Sequence, residues 1–150
     1  MGADKEKPTS DGTTPLIYAS VDGHLEVVRW LIETGADIDR AAKNGVTPIE
    51  ATDWRRLEVV RLLIEKRADK NRASKRCVTP LFLASQNGYL DIASLLIEKG
   101  ADKNKATNKG ATHLAIARGN NGHLDVVNLL IEKGADEDNG ATPWHGSLVK

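Results

Sequence analysis

The sequence predicts an all-α solenoid of stacked helix pairs, and three observations predict it. The first is a repeated segment: GHLEVVRWLIETGAD from Gly23, RRLEVVRLLIEKRAD from Arg55, GYLDIASLLIEKGAD from Gly88 and GHLDVVNLLIEKGAD from Gly122, with starts 32, 33 and 34 residues apart. The second is an upstream partner series, TTPLIYAS from Thr13, VTPIEATD from Val46, VTPLFLAS from Val78, ATHLAIAR from Ala111 and ATPWHGSL from Ala141. The third is composition: 40% of 150 residues are apolar, but with one Phe, two Tyr and three Trp the core must be packed from aliphatic side chains. A fixed period of this length is the mark of a repeat architecture, in which each unit buries its apolar face only against its neighbours.

Within a unit the elements follow in order. The pairs Thr14-Pro15, Thr47-Pro48 and Thr79-Pro80 suit a helix start, threonine capping free amides and proline supplying a preset φ at the first helical position. Gly23, Gly88 and Gly122 then stand where that first helix ends in a left-handed turn. In the second helix Glu26, Arg29 and Glu33 recur as Glu58, Arg61 and Glu65, as Asp91, Ser94 and Glu98, and as Asp125, Asn128 and Glu132. Spacings of three and four make them one solvent stripe, leaving the rest of the circumference apolar. Trp30, at the place of Leu62, Leu95 and Leu129, reads as core. Gly35, Gly100 and Gly134 close the second helix, and a polar loop leads to the next Thr-Pro pair. Repeat 2 departs from this pattern. Arg55 stands in place of Gly23, Thr47 to Leu57 is one residue shorter than Thr14 to Leu25, and Arg67 and Cys77 replace glycines, so the junction after this repeat is expected to be the weakest.

A period near 33 carrying TPL, GHLEVV and LLIEKGAD resembles the ankyrin repeat family over nearly the whole chain. The resemblance implies antiparallel helix pairs with β-hairpin finger loops, stacked into a curved solenoid. On that reading residues 1–150 form a single ankyrin domain: a closing finger at 1–13, repeats at about 14–46, 47–78, 79–111 and 112–141, and a truncated fifth repeat at 142–150. Starting and ending in mid-pattern suggests a piece of a longer array or a designed stack. The family's histidine after TPL, which ties one finger to the next, is replaced by Ile17, Glu50, Phe82 and Ala115, and only His145 keeps it. Asn71 and Asn104 occupy the finger position that asparaginyl hydroxylases modify in this family.

Several functions are disfavoured. Lysine plus arginine and aspartate plus glutamate each total 21, so no overall excess drives attachment to nucleic acid or to a membrane. One cysteine and no apolar leader make an intracellular, cytoplasmic setting the default. No phosphate loop, dinucleotide fingerprint, zinc spacing or calcium loop is present, so no cofactor or metal is expected. The acids Asp37, Asp69, Asp102 and Asp136 recur at one loop position and read as loop formers. His24 and His123 fall in interhelical turns without a nucleophile, and no enzyme activity is expected.

The remaining signal is the finger surface. The segment 35–46 is neutral, 67–78 carries +4 and 100–111 carries +2, while Asp136, Glu137 and Asp138 make the last loop acidic. Solubility alone accounts for loop-tip charge in many proteins, but a basic rim also attracts an acidic partner. The expected function is a non-enzymatic protein-binding module that meets a protein or peptide with an acidic surface. The expected contact residues are Lys43, Asn44, Val46, Trp54, Lys75, Arg76, Val78, Phe82, Asn108 and Lys109, with Trp54 and Phe82 equally readable as packing. The alternatives are a scaffold fragment or engineered stack with no partner of its own, and nucleic-acid binding through the basic fingers. Trp144 is expected over the open end of the stack. An apolar edge on repeat 1 predicts a monomer or weak self-association.

Overall fold

Each Thr-Pro pair does open a helix. The computed structural model describes residues 4, 6–52, 55–74, 78–119 and 122–137, among which lie α1 (Pro15–Asp22), α2 (Leu25–Glu33), α3 (Pro48–Ala51), α4 (Leu57–Glu65), α5 (Pro80–Asn87), α6 (Leu90–Glu98), α7 (His113–Gly119) and α8 (Leu124–Glu132). The Thr14 hydroxyl accepts the Ile17 amide at 3.2 Å, Thr79 that of Phe82 at 3.2 Å, and Thr112 that of Ala115 at 3.2 Å. Each such cap satisfies an otherwise orphan donor and stabilises its helix by about 1 kcal/mol.

The chain divides into two compact units, Met1–Lys75 and Arg76–Lys150. In the first, α1 packs on α2 and α3, and α4 packs on α2 and α3. Leu16, Val28, Ile49, Val59, Val60 and Leu63 form its core. In the second, α5 packs on α6 and α7, and α8 on α6 and α7, around Leu81, Leu96, Ala117, Val126 and Leu130. Each of the large aliphatic side chains buried this fully contributes about 1.5–3 kcal/mol relative to exposure.

The repeated Gly-Ala-Asp follows from how the second helix ends. The amides of Gly35, Arg67, Gly100 and Gly134 bond the carbonyls of Ile32, Ile64, Ile97 and Ile131, and the following alanine amides reach Leu31, Leu63, Leu96 and Leu130. This is a Schellman ending, which needs one left-handed residue. Glycine supplies it three times, and Arg67 adopts φ 69, as the one non-glycine with positive φ among the described residues. The alanines at 36, 68, 101 and 135 are buried behind the turn.

The turn between helices also has a steric reason for glycine. Gly88 has φ 72, and a Cβ there would lie 2.3 Å from Nδ1 of His123, whose Nε2 pairs with the Gln86 carbonyl oxygen at 3.1 Å. His123 is therefore a structural residue of this turn. In repeat 2 the first helix is short. The four-residue α3 stops at Ala51, where Thr52 turns extended (φ −59, ψ 134) and its hydroxyl caps the Pro48 carbonyl at 2.8 Å.

Trp30 is not core. It is 57% exposed, whereas Leu62 at the same place in α4 is 4% exposed. Leu62 belongs to a helix packed on the preceding pair of its own unit, and no described helix precedes α1 to cover Trp30.

Two buried polar side chains replace the family's histidine tie. His113 is fully buried at the first position of α7: Nδ1 lies 2.7 Å from the Lys103 carbonyl oxygen and Nε2 3.0 Å from the Thr79 hydroxyl. With the proton on Nδ1, the ring donates to Lys103 and accepts from Thr79, whose oxygen in turn accepts the Phe82 amide, so all three groups are satisfied. The imidazole edge also meets Phe82, with ring centroids 6.2 Å apart. The tie absent from position 82 is thus supplied by the next repeat. Burial lowers the His113 pKa below 6.5, partly offset by the Lys103 carbonyl and the Asp102 charge. Glu50 plays the corresponding part in the first unit. Its Oε2 accepts the Thr47 amide at 3.1 Å and the Thr47 hydroxyl at 3.2 Å, while Oε1 is buried without a hydrogen bond of good geometry. Burial raises its pKa above 4.5 against the pull of Thr47, the nearby Ser74 amide and Arg72.

Candidate partner-binding surface

The fingers are held at their bases by a repeated ladder. Asp37, Asp69 and Asp102 each accept the backbone amide two residues on, from Asp39, Asn71 and Asn104, at 3.0, 2.9 and 2.9 Å. The side chain at the next rung then accepts an amide from the following repeat: Glu6 from Asp37 at 2.7 Å, Asp39 from Asp69 at 2.8 Å, and Asn104 from Asp136 at 2.9 Å. Two arginines tighten the ladder. Arg40 donates to the carbonyl and carboxylate of Glu6, each at 3.1 Å, and Arg72 donates to the Asp39 carbonyl at 2.8 Å. The recurring acids are loop formers, as their positions imply, and part of the basic charge counted along the fingers is committed to the frame.

At the tips the chain reverses in five residues. Gly45 bonds the Ala42 carbonyl at 2.8 Å and Ala42 bonds that of Val46 at 3.0 Å. Gly12 with Thr9 and Thr13, and Gly110 with Thr107 and Ala111, repeat the pattern. This is the three-residue hairpin loop whose last position is left-handed, and Gly45 has φ 86 there. The β-hairpin form implied by the resemblance is present only as this reversal, since no strand forms among the described residues. One pair of cross-bonds is too short a ladder to count as sheet.

The same amide is bonded by a side chain in each of these three tips. Asn44 accepts the Val46 amide at 3.0 Å, and Asp11 accepts that of Thr13 at 3.1 Å. The Thr9 hydroxyl, then the Thr13 amide, lower the Asp11 pKa to about 2. Where Lys109 holds the place of Asp11 and Asn44, the Thr107 hydroxyl accepts the Ala111 amide at 3.2 Å, as the Thr9 hydroxyl also accepts that of Thr13 at 3.2 Å. Threonine thereby leaves the position open to a base.

The structure sorts the expected contact residues into three groups. Lys43, Asn44, Asn108 and Lys109 are exposed at tips, and the two lysines make no ion pair among the described residues. Val46 and Val78 are half-buried, Val78 against the cluster of Phe82, Ala111 and Ile116. Phe82 is removed from the surface set: at 7% exposure it is core, because His113, Ala111 and Ile116 close over it. Trp54, Lys75 and Arg76 lie outside the described residues, as do Cys77, Trp144 and His145. Sequence reasoning missed Tyr18, an exposed aromatic on α1, and the role of His113. The replacement of proline by histidine at position 113 was the available signal.

Among the described residues no group of three or more His, Cys, Asp or Glu side chains could hold a metal ion, and no helix is long and apolar enough to cross a membrane. Paired helices, Schellman endings and hairpin-tipped loops define a helical repeat protein. The chain belongs to the ankyrin repeat family, whose model, ankyrin repeats in three copies, matches residues 1–74 and 73–141. Repeats of this family are protein–protein interaction modules and are typically non-enzymatic. The chain is also similar to alpha-latrotoxin-Lh1a of Latrodectus hasselti, at 42% identity over 50 residues, 33% of this chain and 3% of the toxin. It is similar to the potassium channel AKT1 of Oryza sativa subsp. indica and of subsp. japonica, each at 45% identity over 47 residues, 31% of this chain and 5% of the channel. The matched segment is therefore a small part of each of these relatives.

Proposed function

We propose that the chain is a non-enzymatic binding module, acting in a reducing cytoplasmic setting, whose fingertips recognise a protein or peptide with an acidic surface. The contact set comprises Lys43, Asn44 and Val46 in the first unit and Val78, Asn108 and Lys109 in the second, together with Lys75, Arg76 and Trp54. The observation that carries this reading is a division of labour among the finger bases. Arg40 and Arg72 are consumed by the ladder, whereas Lys43 and Lys109 stand exposed on tips whose turns are secured by other side chains. Charge held on a rigid frame costs little ordering entropy on binding and steers an oppositely charged partner.

The test is selection from an acidic-peptide library, followed by binding measurements on two sets of variants. Lys43→Glu with Lys109→Glu, and Lys75→Glu with Arg76→Glu, should each weaken the selected peptide by about tenfold or more, or about 1.4 kcal/mol. Glu58→Gln, Ser94→Ala and Asn128→Ala, on the second-helix stripe, should leave binding unchanged. Equal loss from both sets, or none from the tip set, would remove the fingers as the site. A preference for oligonucleotide with a steep salt slope would replace the protein partner with nucleic acid.

A further inference from the structure

Apolar side chains that later repeats bury are open in repeat 1. On α2, Val27 and Trp30 are exposed, while at the same places Val59 and Leu62 in α4 and Ile92 and Leu95 in α6 are buried, as is Val126 in α8. On α1, Tyr18 is exposed where Ile116 in α7 is buried, and Val21 adds a further exposed apolar group one turn on. Within each unit the burial accompanies packing of the later helix pair on the earlier one, α3 and α4 on α1 and α2, and α7 and α8 on α5 and α6. The open face of repeat 1 is thus the leading face of a repeat, shaped by the same residue positions that in α4 and α8 meet the preceding helix pair of the same unit.

The opposite condition holds at α8. Leu124 is 69% exposed and Ile131 37%, whereas Leu90 is half-buried and Ile97 9% exposed at the same places in α6, on which α8 packs. These positions belong to the trailing face, the one a following repeat covers. Leading and trailing faces are complementary by construction, because their pairing is the interface repeated inside each unit.

We infer that the leading face formed by Tyr18, Val21, Val27 and Trp30 docks a second copy of this chain through that copy's trailing face at Leu124 and Ile131. The contact continues the repeat-on-repeat packing from one molecule to the next. It is heterologous, pairing two different patches, so each dimer keeps one open face of each kind and growth need not close. The contact rests on a few exposed apolar side chains on each face, so the association is weak and concentration-dependent.

Sedimentation velocity on the full chain, from about 10 µM to about 1 mM, tests the inference. The wild type should gain average mass steadily with concentration and show no plateau at dimer. Trp30→Glu alone and Leu124→Glu with Ile131→Glu alone should each remain monomeric, and their helical circular dichroism should match the wild type, since the altered side chains are exposed. Mixed at equal concentration, the two variants should form a dimer that grows no further, because each contributes the one intact face the other lacks. Restored dimer in the mixture also shows that both variants are folded. Continued association of the Leu124→Glu, Ile131→Glu variant, with none by Trp30→Glu, would mean that leading faces pair with each other and would overturn the proposal. Association by both single-face variants, or a wild type that stays monomeric at the highest concentration, would overturn it as well.

Discussion

Arg67 occupies a left-handed position that Gly35, Gly100 and Gly134 fill in the other repeats, and its φ of 69 places a Cβ against the following carbonyl. That conformation costs a non-glycine residue roughly 1–2 kcal/mol, while glycine gives back about 0.5–1 kcal/mol through its looser unfolded chain. The first term is the larger, so Arg67→Gly should stabilise the protein by about 0.5–1 kcal/mol in urea unfolding at unchanged m-value. A loss of stability would mean that packing of the arginine stem outweighs the backbone strain. This left-handed turn was legible because its reason is local: the helix ends, and one residue must reverse. The roles of Trp30 and His113 were not, because they depend on distant groups. Trp30 shares its helical position with three leucines, and among the described residues no helix pair covers it. The partners of His113 lie 10 and 34 residues away in sequence, at Lys103 and Thr79.

At the scale of elements, α3 is the outlier. It has four residues against eight in α1 and α5, and the chain leaves it in extended conformation at Thr52, without the left-handed glycine that closes α1 at Gly23 and α5 at Gly88. A helix this short makes few internal hydrogen bonds, so its order rests on the Thr47–Glu50 contacts and on packing against α1 and α4. Its amides should therefore exchange fastest among the helices in native-state hydrogen exchange, with α4 better protected because Val60 and Leu63 are fully buried. Protection of α3 equal to that of α5 would show that its packing compensates for its length. The missing residue and the missing glycine were visible in the sequence, but which part would shorten was not. A turn and a helix end compete for the same residues, and the chain resolves it at Thr52, whose backbone turns extended while its amide and hydroxyl both still reach the Pro48 carbonyl.

At the scale of the molecule, two buried titratable groups among the described residues, Glu50 and His113, set opposite pH responses in the two units. Above its raised pKa, Glu50 is ionised in both the folded and the unfolded chain, and the cost of burying the charge is fully present. As the pH falls through that pKa toward 4.5, the folded state binds the proton first and the unit Met1–Lys75 gains stability. His113 behaves in the reverse sense. Above 6.5 it is neutral in both states, but below 6.5 the unfolded chain takes up a proton that the buried ring resists, so the unit Arg76–Lys150 loses stability until the lowered folded pKa is reached. Asp11, lowered to about 2 and fully exposed, acts only in stronger acid, where the first unit loses its contribution as the pH falls from 3.8. Between roughly pH 7.5 and 5.5, then, hydrogen-exchange protection corrected for intrinsic rates should fall in α5 to α8 and hold or rise in α1 to α4. His113→Gln, which keeps a donor and an acceptor but cannot ionise, should flatten the response of the second unit alone, and Glu50→Gln that of the first alone. A uniform change in both units, or an unchanged second unit in the wild type, would show that a different group governs the response to mild acid.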